Sequence, residues 1–341
     1  MKADIDLEVG HKTFASGLLP ELIAVLRRSR PGDLVAVIGD EDIGSELETW
    51  GRFTGNPVLE ATVEKGRKRW LFRCGAVAVH SEDNRPMGSR LWLYTNFDCN
   101  LRCDYCCVRS SPTAPRRELG LARVQQIARE AAQLGVKEIF VTGGEPFLLE
   151  NIGEILVACA IAAPTTVLTN GMLFTGRRAE SLRALPRDRI VLQISLDSAK
   201  PELHDLHRGA GTWARTREGI KRARELGFRV RLAATVSTDA EAEGFRQFLD
   251  EEKVAAEDRV IRRIALRGSA TKGVAVTRAD LVPEVTITAE GVYWHPVGAE
   301  DADLLVTRDI FPLSESFAAV RRAFDREGEH ANKLARIFNC A

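Results

Sequence analysis

From residue 90 onward the chain alternates short apolar runs with amphipathic stretches at a regular interval. Apolar runs over 91–94, 138–141, 165–168, 190–196, 229–236 and 260–266 read as strands. Runs of about four to eight apolar residues bounded by turn formers suit strands buried on both faces. Between them, 121–134, 152–162, 177–184, 212–226 and 240–250 repeat apolar residues at helical spacing. Strands alternating with helices predict a parallel α/β sheet. A closed eight-stranded barrel takes about 250 residues. The span 90–267 is too short for that, so a partial (β/α)6 TIM-like barrel is expected.

Both flanks follow other patterns. Residues 5–9 alternate like a strand, 20–28 read as a helix and Pro31-Gly32-Asp33 as a turn. Residues 34–38 read as a strand, 43–53 as a helix, and 58–64 and 69–73 as two strands around Lys65-Gly66. This β-α-β-α-β-β order predicts a small α/β sandwich over 1–76, joined by a polar linker, 77–89. Beyond 267 the alternation stops. Residues 284–289 and 292–295 flank Glu290-Gly291 like a hairpin, and 313–324 and 327–338 read as helices. Residues 268–341 therefore form a small α+β extension.

Composition narrows the function classes. Lys+Arg and Asp+Glu balance at 48 each, which gives no electrostatic reason to expect nucleic acid or an anionic membrane as partner. The longest apolar run, 155–163, is too short to span a bilayer and ends at Pro164. The first residues are acidic where a signal peptide needs an apolar stretch, so a cytoplasmic location is expected.

The candidate chemistry lies in the cysteines. Four of seven fall between 99 and 107, and Cys99-Asn-Leu-Arg-Cys103-Asp-Tyr-Cys106 spaces three of them as C-x3-C-x2-C just after the strand 91–94. In a reducing compartment such a cluster argues for a metal or redox site over disulfides. Three close thiolates can hold three corners of an iron–sulfur cube and leave one iron open. A zinc site is the alternative, although zinc usually takes a second ligand pair, which is not obvious here. The spacing resembles that of the radical S-adenosylmethionine (SAM) superfamily. The resemblance implies a [4Fe–4S] cluster on Cys99, Cys103 and Cys106, with SAM chelating the open iron and Tyr105 near the adenine. It also implies reductive cleavage of SAM to a 5′-deoxyadenosyl radical that takes hydrogen from a substrate.

Further motifs follow in the order this family has them. Gly143-Gly144-Glu145-Pro146 comes after the second strand, and two glycines let backbone approach a ligand closely. The resemblance assigns this segment to the SAM amino group. Asn170 after the third strand, and Ser195 and Asp197 at the fourth, fall where the family places residues facing SAM. The segment His204 to Gly209 resembles the family's stretch after the fourth strand, and the resemblance implies that Arg208 reaches the SAM carboxylate, where its guanidinium offers a bidentate fork. Cys107 is extra to the pattern and is read as a non-ligand neighbour.

The C-terminal stretch Val285 to Pro296 resembles the SPASM/twitch extension, with His295 where a cysteine normally stands. Only Cys340 remains in that region, too few ligands for an auxiliary cluster. The N-terminal unit resembles the TusA-like sulfur-carrier family. Its nucleophilic cysteine is absent, since Gly17-Leu18-Leu19-Pro20 occupies the matching stretch. Cys74 is read as a packed thiol. The favoured function is a radical SAM enzyme acting on a peptide, small molecule or cofactor precursor, with flavodoxin or ferredoxin as electron donor. A sulfur-transfer or carrier protein and a non-catalytic iron–sulfur or zinc scaffold are the alternatives.

Overall fold

The computed structural model describes residues 2–12, 18–26, 29, 32–54, 56–64, 66–74 and 88–327. Gly17, Cys340, the 327–338 helical stretch beyond its first residue and most of the 77–89 linker lie outside the described residues. The chain divides into two compact units, one within residues 1–85 and the other within 86–328.

The first unit runs β1 (Ile5–Gly10), α1 (Leu18–Leu26), β2 (Leu34–Gly39), α2 (Gly44–Thr54), β3 (Val58–Glu64) and β4 (Arg67–Arg73). Its sheet order is β1-β2-β4-β3. β1 and β2 are parallel, and the other pairings are antiparallel. Leu18, Leu22 and Val25 of α1 pack with Val35, Val37, Trp70 and Phe72 in its core. Cys74 is buried in this core.

The second unit begins with β5 (Arg90–Tyr94), α3 (Leu121–Gln133), β6 (Glu138–Thr142), α4 (Ile152–Ala162), β7 (Thr165–Thr169), α5 (Gly176–Ala184) and β8 (Ile190–Ser195). It continues through α6 (Pro201–Arg208), α7 (Thr212–Glu225), β9 (Arg229–Val236), α8 (Asp239–Glu251) and β10 (Arg259–Arg263). β11 (Thr286–Thr288), β12 (Gly291–Tyr293), β13 (Leu305–Thr307) and α9 (Leu313–Glu327) complete it. The sheet order is β10-β9-β8-β7-β6-β5-β11-β12-β13. β5 to β10 are parallel neighbours in chain order. Helices cover their outer face. In α3, Val124, Ile127, Ala128 and Ala131 are buried, the i, i+3, i+4, i+7 stripe that gives an amphipathic helix one apolar side.

The sheet does not close. The free side of β5 is taken by β11, paired in parallel at Thr286↔Trp92 and Ile287↔Leu93. Glu284 fastens the join by accepting from Arg90 Nη1 at 3.2 Å and from the Trp92 indole. The expected boundary at 267 therefore falls inside one continuous sheet. α6, not predicted from the sequence, starts with Pro201 at its first turn and stops at Gly209, whose φ is 110°.

Candidate active site

Side chains alternate along strands, and the ends of six parallel strands converge on one cavity, β10 contributing Arg262 and Arg263. Trp92 and Tyr94 of β5, Thr142 of β6, Leu168 of β7, Ser195 of β8 and Thr235 of β9 line it. The loop after β5 enters the same cavity with Cys99, Cys103, Tyr105, Cys106 and Cys107. Of the residues singled out from the sequence, Gly143, Gly144, Asn170 and Arg208 also line it. Glu145 and Asp197 do not: both are buried behind the wall.

Burial pushes the Cys106 thiol up to about 12 and raises those of Cys99 and Cys103 as well. Left alone these groups are neutral thiols, and only a bound cation makes the thiolate favourable. Among the described residues, no group of three His, Cys, Asp or Glu side chains is placed to hold one metal ion. A cubane differs, because its thiolates sit on separate irons.

The Gly143-Gly144 pair owes its identity to the cysteine loop. A Cβ on Gly144 would stand 2.1 Å from the Asp98 carbonyl oxygen, and one on Gly143 would stand 2.4 Å from Asn96 Oδ1. Gly144 N donates to Asn96 O at 2.9 Å, and Glu145 N to Asp98 O at 3.0 Å. Asn96 Nδ2 donates to the Asp98 and Glu145 carbonyls at 2.9 and 3.1 Å. Asn96 was not singled out from the sequence, where an Asn after a strand reads only as a turn. The Gly144→Ala variant should lose about 2–3 kcal/mol, since backbone atoms must move to admit the methyl. Gly244→Ala in α8, where an added Cβ meets nothing, should instead gain up to about 1 kcal/mol. Thermal unfolding of the two variants checks both signs.

Glu145 is a brace. Its Oε1 accepts from Thr169 Oγ1 at 2.7 Å and Phe147 N at 3.0 Å, and its Oε2 accepts from Asn170 N at 2.8 Å. The carboxylate ties the end of β6 to the end of β7. Asn170 in turn donates from Nδ2 to Asn100 Oδ1 at 2.8 Å, joining β7 to the cysteine loop.

Asp197 is also a brace. Arg208 Nε and Nη2 donate to its two oxygens at 2.6 and 3.3 Å, Thr235 N donates at 3.1 Å, and the Tyr105 hydroxyl donates to the same carboxylate. Burial raises the Asp197 carboxyl, yet the Arg208 guanidinium and these donors bring it below the usual range. The pair fixes Arg208 on the wall and Tyr105 beside it, with the guanidinium 5.6 Å from the ring centre.

His204, next to this network, accepts from Asp197 N at 3.2 Å, and burial pushes its pKa down to about 4. Buried His295 accepts from Val297 N at 3.1 Å, and burial takes it down to about 3. In the unfolded chain both titrate near 6.5, so between those values the unfolded state binds more protons. Stability should fall as pH drops from about 6.5 toward 4, by up to about 1.4 kcal/mol per pH unit for each histidine. Urea midpoints at pH 7.5 and 5.0 read this directly, and equal midpoints would refute it.

The C-terminal segment closes on the same loop. A Cβ on Gly268 would lie 2.4 Å from the Cys106 carbonyl oxygen, and Ser269 N donates to that oxygen at 2.8 Å. Glu300 accepts from Arg117 Nη2 at 2.7 Å and Arg109 Nη1 at 3.0 Å.

A cysteine loop over the C-terminal ends of parallel strands, faced by a diglycine turn, defines a class of domain. Residues 93–249 match the family model of the Radical SAM superfamily. Such a domain uses a [4Fe–4S] cluster and SAM, and the three thiols and the carboxylate-free wall suit them. Over 167 residues the chain is 40% identical to the antilisterial bacteriocin subtilosin biosynthesis protein AlbA of Bacillus subtilis, covering 47% of this chain and 36% of AlbA. Over 129 residues it is 33% identical to a probable GTP 3′,8-cyclase of Archaeoglobus fulgidus, covering 38% and 42%. The chain thus spans well under half of either relative. The solved structure described as "Native anSMEcpe with bound AdoMet" shares the fold at TM-score 0.52 and 13% identity, over 74% of this chain and 83% of its own. Among the described residues no helix is long and apolar enough to cross a membrane.

Proposed function

We propose that the chain is a radical SAM enzyme that modifies a peptide. The observation that carries this reading is the meeting of Cys99, Cys103 and Cys106 with Gly143, Gly144 and Arg208 around one cavity. Cys99, Cys103 and Cys106 hold the cluster. The walls beside them, Gly143, Gly144, Asn170, Ser195, Tyr105 and Arg208, hold SAM. When bound, cluster and SAM together supply a 5′-deoxyadenosyl radical that can take a hydrogen atom from a substrate.

The protein's own part is positioning. Asp197 fixes Arg208 through Nε and Nη2, with Nη1 outside the pair. Glu145 and Asn96 set the diglycine turn against the thiol loop. Trp92, Tyr94 and Leu168 give the wall of that cavity an apolar face.

The identity to AlbA, a bacteriocin biosynthesis protein, supports a peptide substrate. The identity to a GTP 3′,8-cyclase favours a cofactor precursor as the second reading. The N-terminal unit, in its resemblance to the TusA-like family, acts as a docking or presenting module. Flavodoxin or ferredoxin delivers the electron. Anaerobic incubation of the reconstituted chain with SAM and dithionite tests the reading. 5′-Deoxyadenosine is expected, and its absence from fully iron-loaded protein would overturn the proposal.

A further inference from the structure

Helix α4 is apolar on both of its faces. Ile152, Ile155, Leu156, Cys159 and Ala160 are buried on the inner one. On the outer one, Glu154, Val157, Ala158 and Ile161 repeat the i, i+3, i+4, i+7 spacing of a second stripe. Ile161 is 79% exposed, more than any other large apolar side chain among the described residues, and Val157 is 38% exposed. Glu154 is the only charged residue in the helix. A surface helix normally turns a polar face to water, and contiguous exposed apolar surface marks a place where something binds.

The outer stripe runs along a groove. Ala128 and Ala132 of α3 line it on one side, and Ser181 and Ala184 of α5 on the other. These side chains are short, so a projecting group can settle between the helices. None of them lines the strand-end cavity. The groove carries one cation and one anion, Arg129 of α3 and Glu154 of α4. Among the described residues neither makes a hydrogen bond or an ion pair. A two-fold axis sets one patch against itself, so that residue i meets j and j meets i. This patch holds both the projecting side chain, Ile161, and the hollow beside Ala128 and Ala132. It also holds both signs of an ion pair that is not made within the chain. A second copy matches shape and charge together by symmetry, and a foreign partner would have to supply each separately.

We propose that this face is a two-fold interface between copies of the chain, with α4 packed against α4 of the second copy. Ile161 of each copy enters the groove beside α3 of the other. Glu154 of each copy pairs with Arg129 of the other, so the pair is made twice. The inference goes beyond the peptide-modifying reading and does not rest on it.

The test is sedimentation velocity on the full chain, kept reduced, from low to high micromolar concentration. The sedimenting mass should rise with concentration toward twice that of one chain. Ile161→Lys should weaken association at least about thirtyfold, as expected where a projecting anchor is lost from the centre of an interface. Its circular dichroism spectrum should stay unchanged, because the position is exposed in the single chain. Arg129→Glu and Glu154→Arg each set like charges against one another and should each weaken association severalfold, less so in high salt. The double variant restores both pairs with their signs exchanged and should recover most of the affinity. A wild-type chain that stays monomeric at every concentration would overturn the proposal. So would a dimer that survives Ile161→Lys, since its interface then lies elsewhere. A double variant that associates no more tightly than either single one would overturn the pairing of Glu154 with Arg129, and with it the two-fold arrangement. 5′-Deoxyadenosine formation is read separately, so this inference and the radical reading can fail independently.

Discussion

With Cys103 replaced by alanine, the reconstituted chain should hold far less iron and sulfide. It should form 5′-deoxyadenosine at least about a hundredfold more slowly. Losing even a residue that orients a metal ligand costs ten- to a hundredfold in metal affinity or activity, and losing the ligand costs more. The Cys103 thiol sits on the cavity wall with Arg208 and Asp197 acting on it, and burial raises its pKa. The Arg208 guanidinium favours the thiolate but burial outweighs it, so the anionic form gains most from a bound metal. Cys107 is the internal control. It lines the same cavity, and burial raises its thiol too, with Arg262 opposing. It falls outside the C-x3-C-x2-C spacing, so Cys107→Ser should retain full iron. If the two variants exchange behaviour, with Cys107→Ser losing iron and Cys103→Ala keeping it, the ligand register is wrong.

The second large effect is expected at Asp197. In Asp197→Asn the shape is kept, and so is an acceptor for Thr235 N, but the charge opposite buried Arg208 is gone. Removing one partner of a buried pair leaves an uncompensated ion and costs about 3–5 kcal/mol. In a unit of this size that amounts to a fall in melting temperature of roughly 10 °C. The measurement belongs on the metal-free chain, so that cluster loss does not contribute. Adding Arg208→Gln should recover part of the loss, because the stranded guanidinium goes with it, and a double-mutant cycle reads that coupling. A single-variant loss under about 1 kcal/mol would show that the pair is solvated and not a brace. Tyr105 should follow Asp197, since its hydroxyl donates to the same carboxylate.

The inner parallel strands β5 to β8 were legible because they are mostly buried on both faces, whereas β10 at the sheet edge has only Val260 buried. Their apolar runs stand out from the amphipathic helices between them, and β9 spans 229–236 as expected. The junction of β11 with β5 was not legible. Three-residue strands carry little pattern, and the partner strand lies on the far side of the entire α/β region. The hairpin itself could be read, but not the edge it would occupy. α6 was missed because eight residues rich in His, Asp and Arg resemble a polar loop until Pro201 and Gly209 are seen as its ends.

At the site, residue types were legible and some of their partners were not. Gly143 and Gly144 do signal a close backbone approach, but what approaches is the Asn96–Asp98 backbone. Glu145 and Asp197 occupy motif positions that suggested contact with SAM. Their carboxylates are engaged by Thr169, Phe147 and Asn170 in one case, and by Arg208, Tyr105 and Thr235 in the other. Sequence spacing does not show whether a polar residue at a strand end points to the cavity or behind it.

The contact of Gly268 and Ser269 with the Cys106 carbonyl also bears on how the holoprotein is made. The thiol loop leaves the ribosome long before residue 268, and longer still before Glu300 can grip Arg109 and Arg117. During that interval the three sulfurs are open to a delivery protein. Once the later segment has packed on the loop's backbone, the loop has less freedom to open around a preformed cube. Maturation is therefore easiest while the chain is still being completed, and metal lost afterwards is harder to restore without loosening that late-arriving cover.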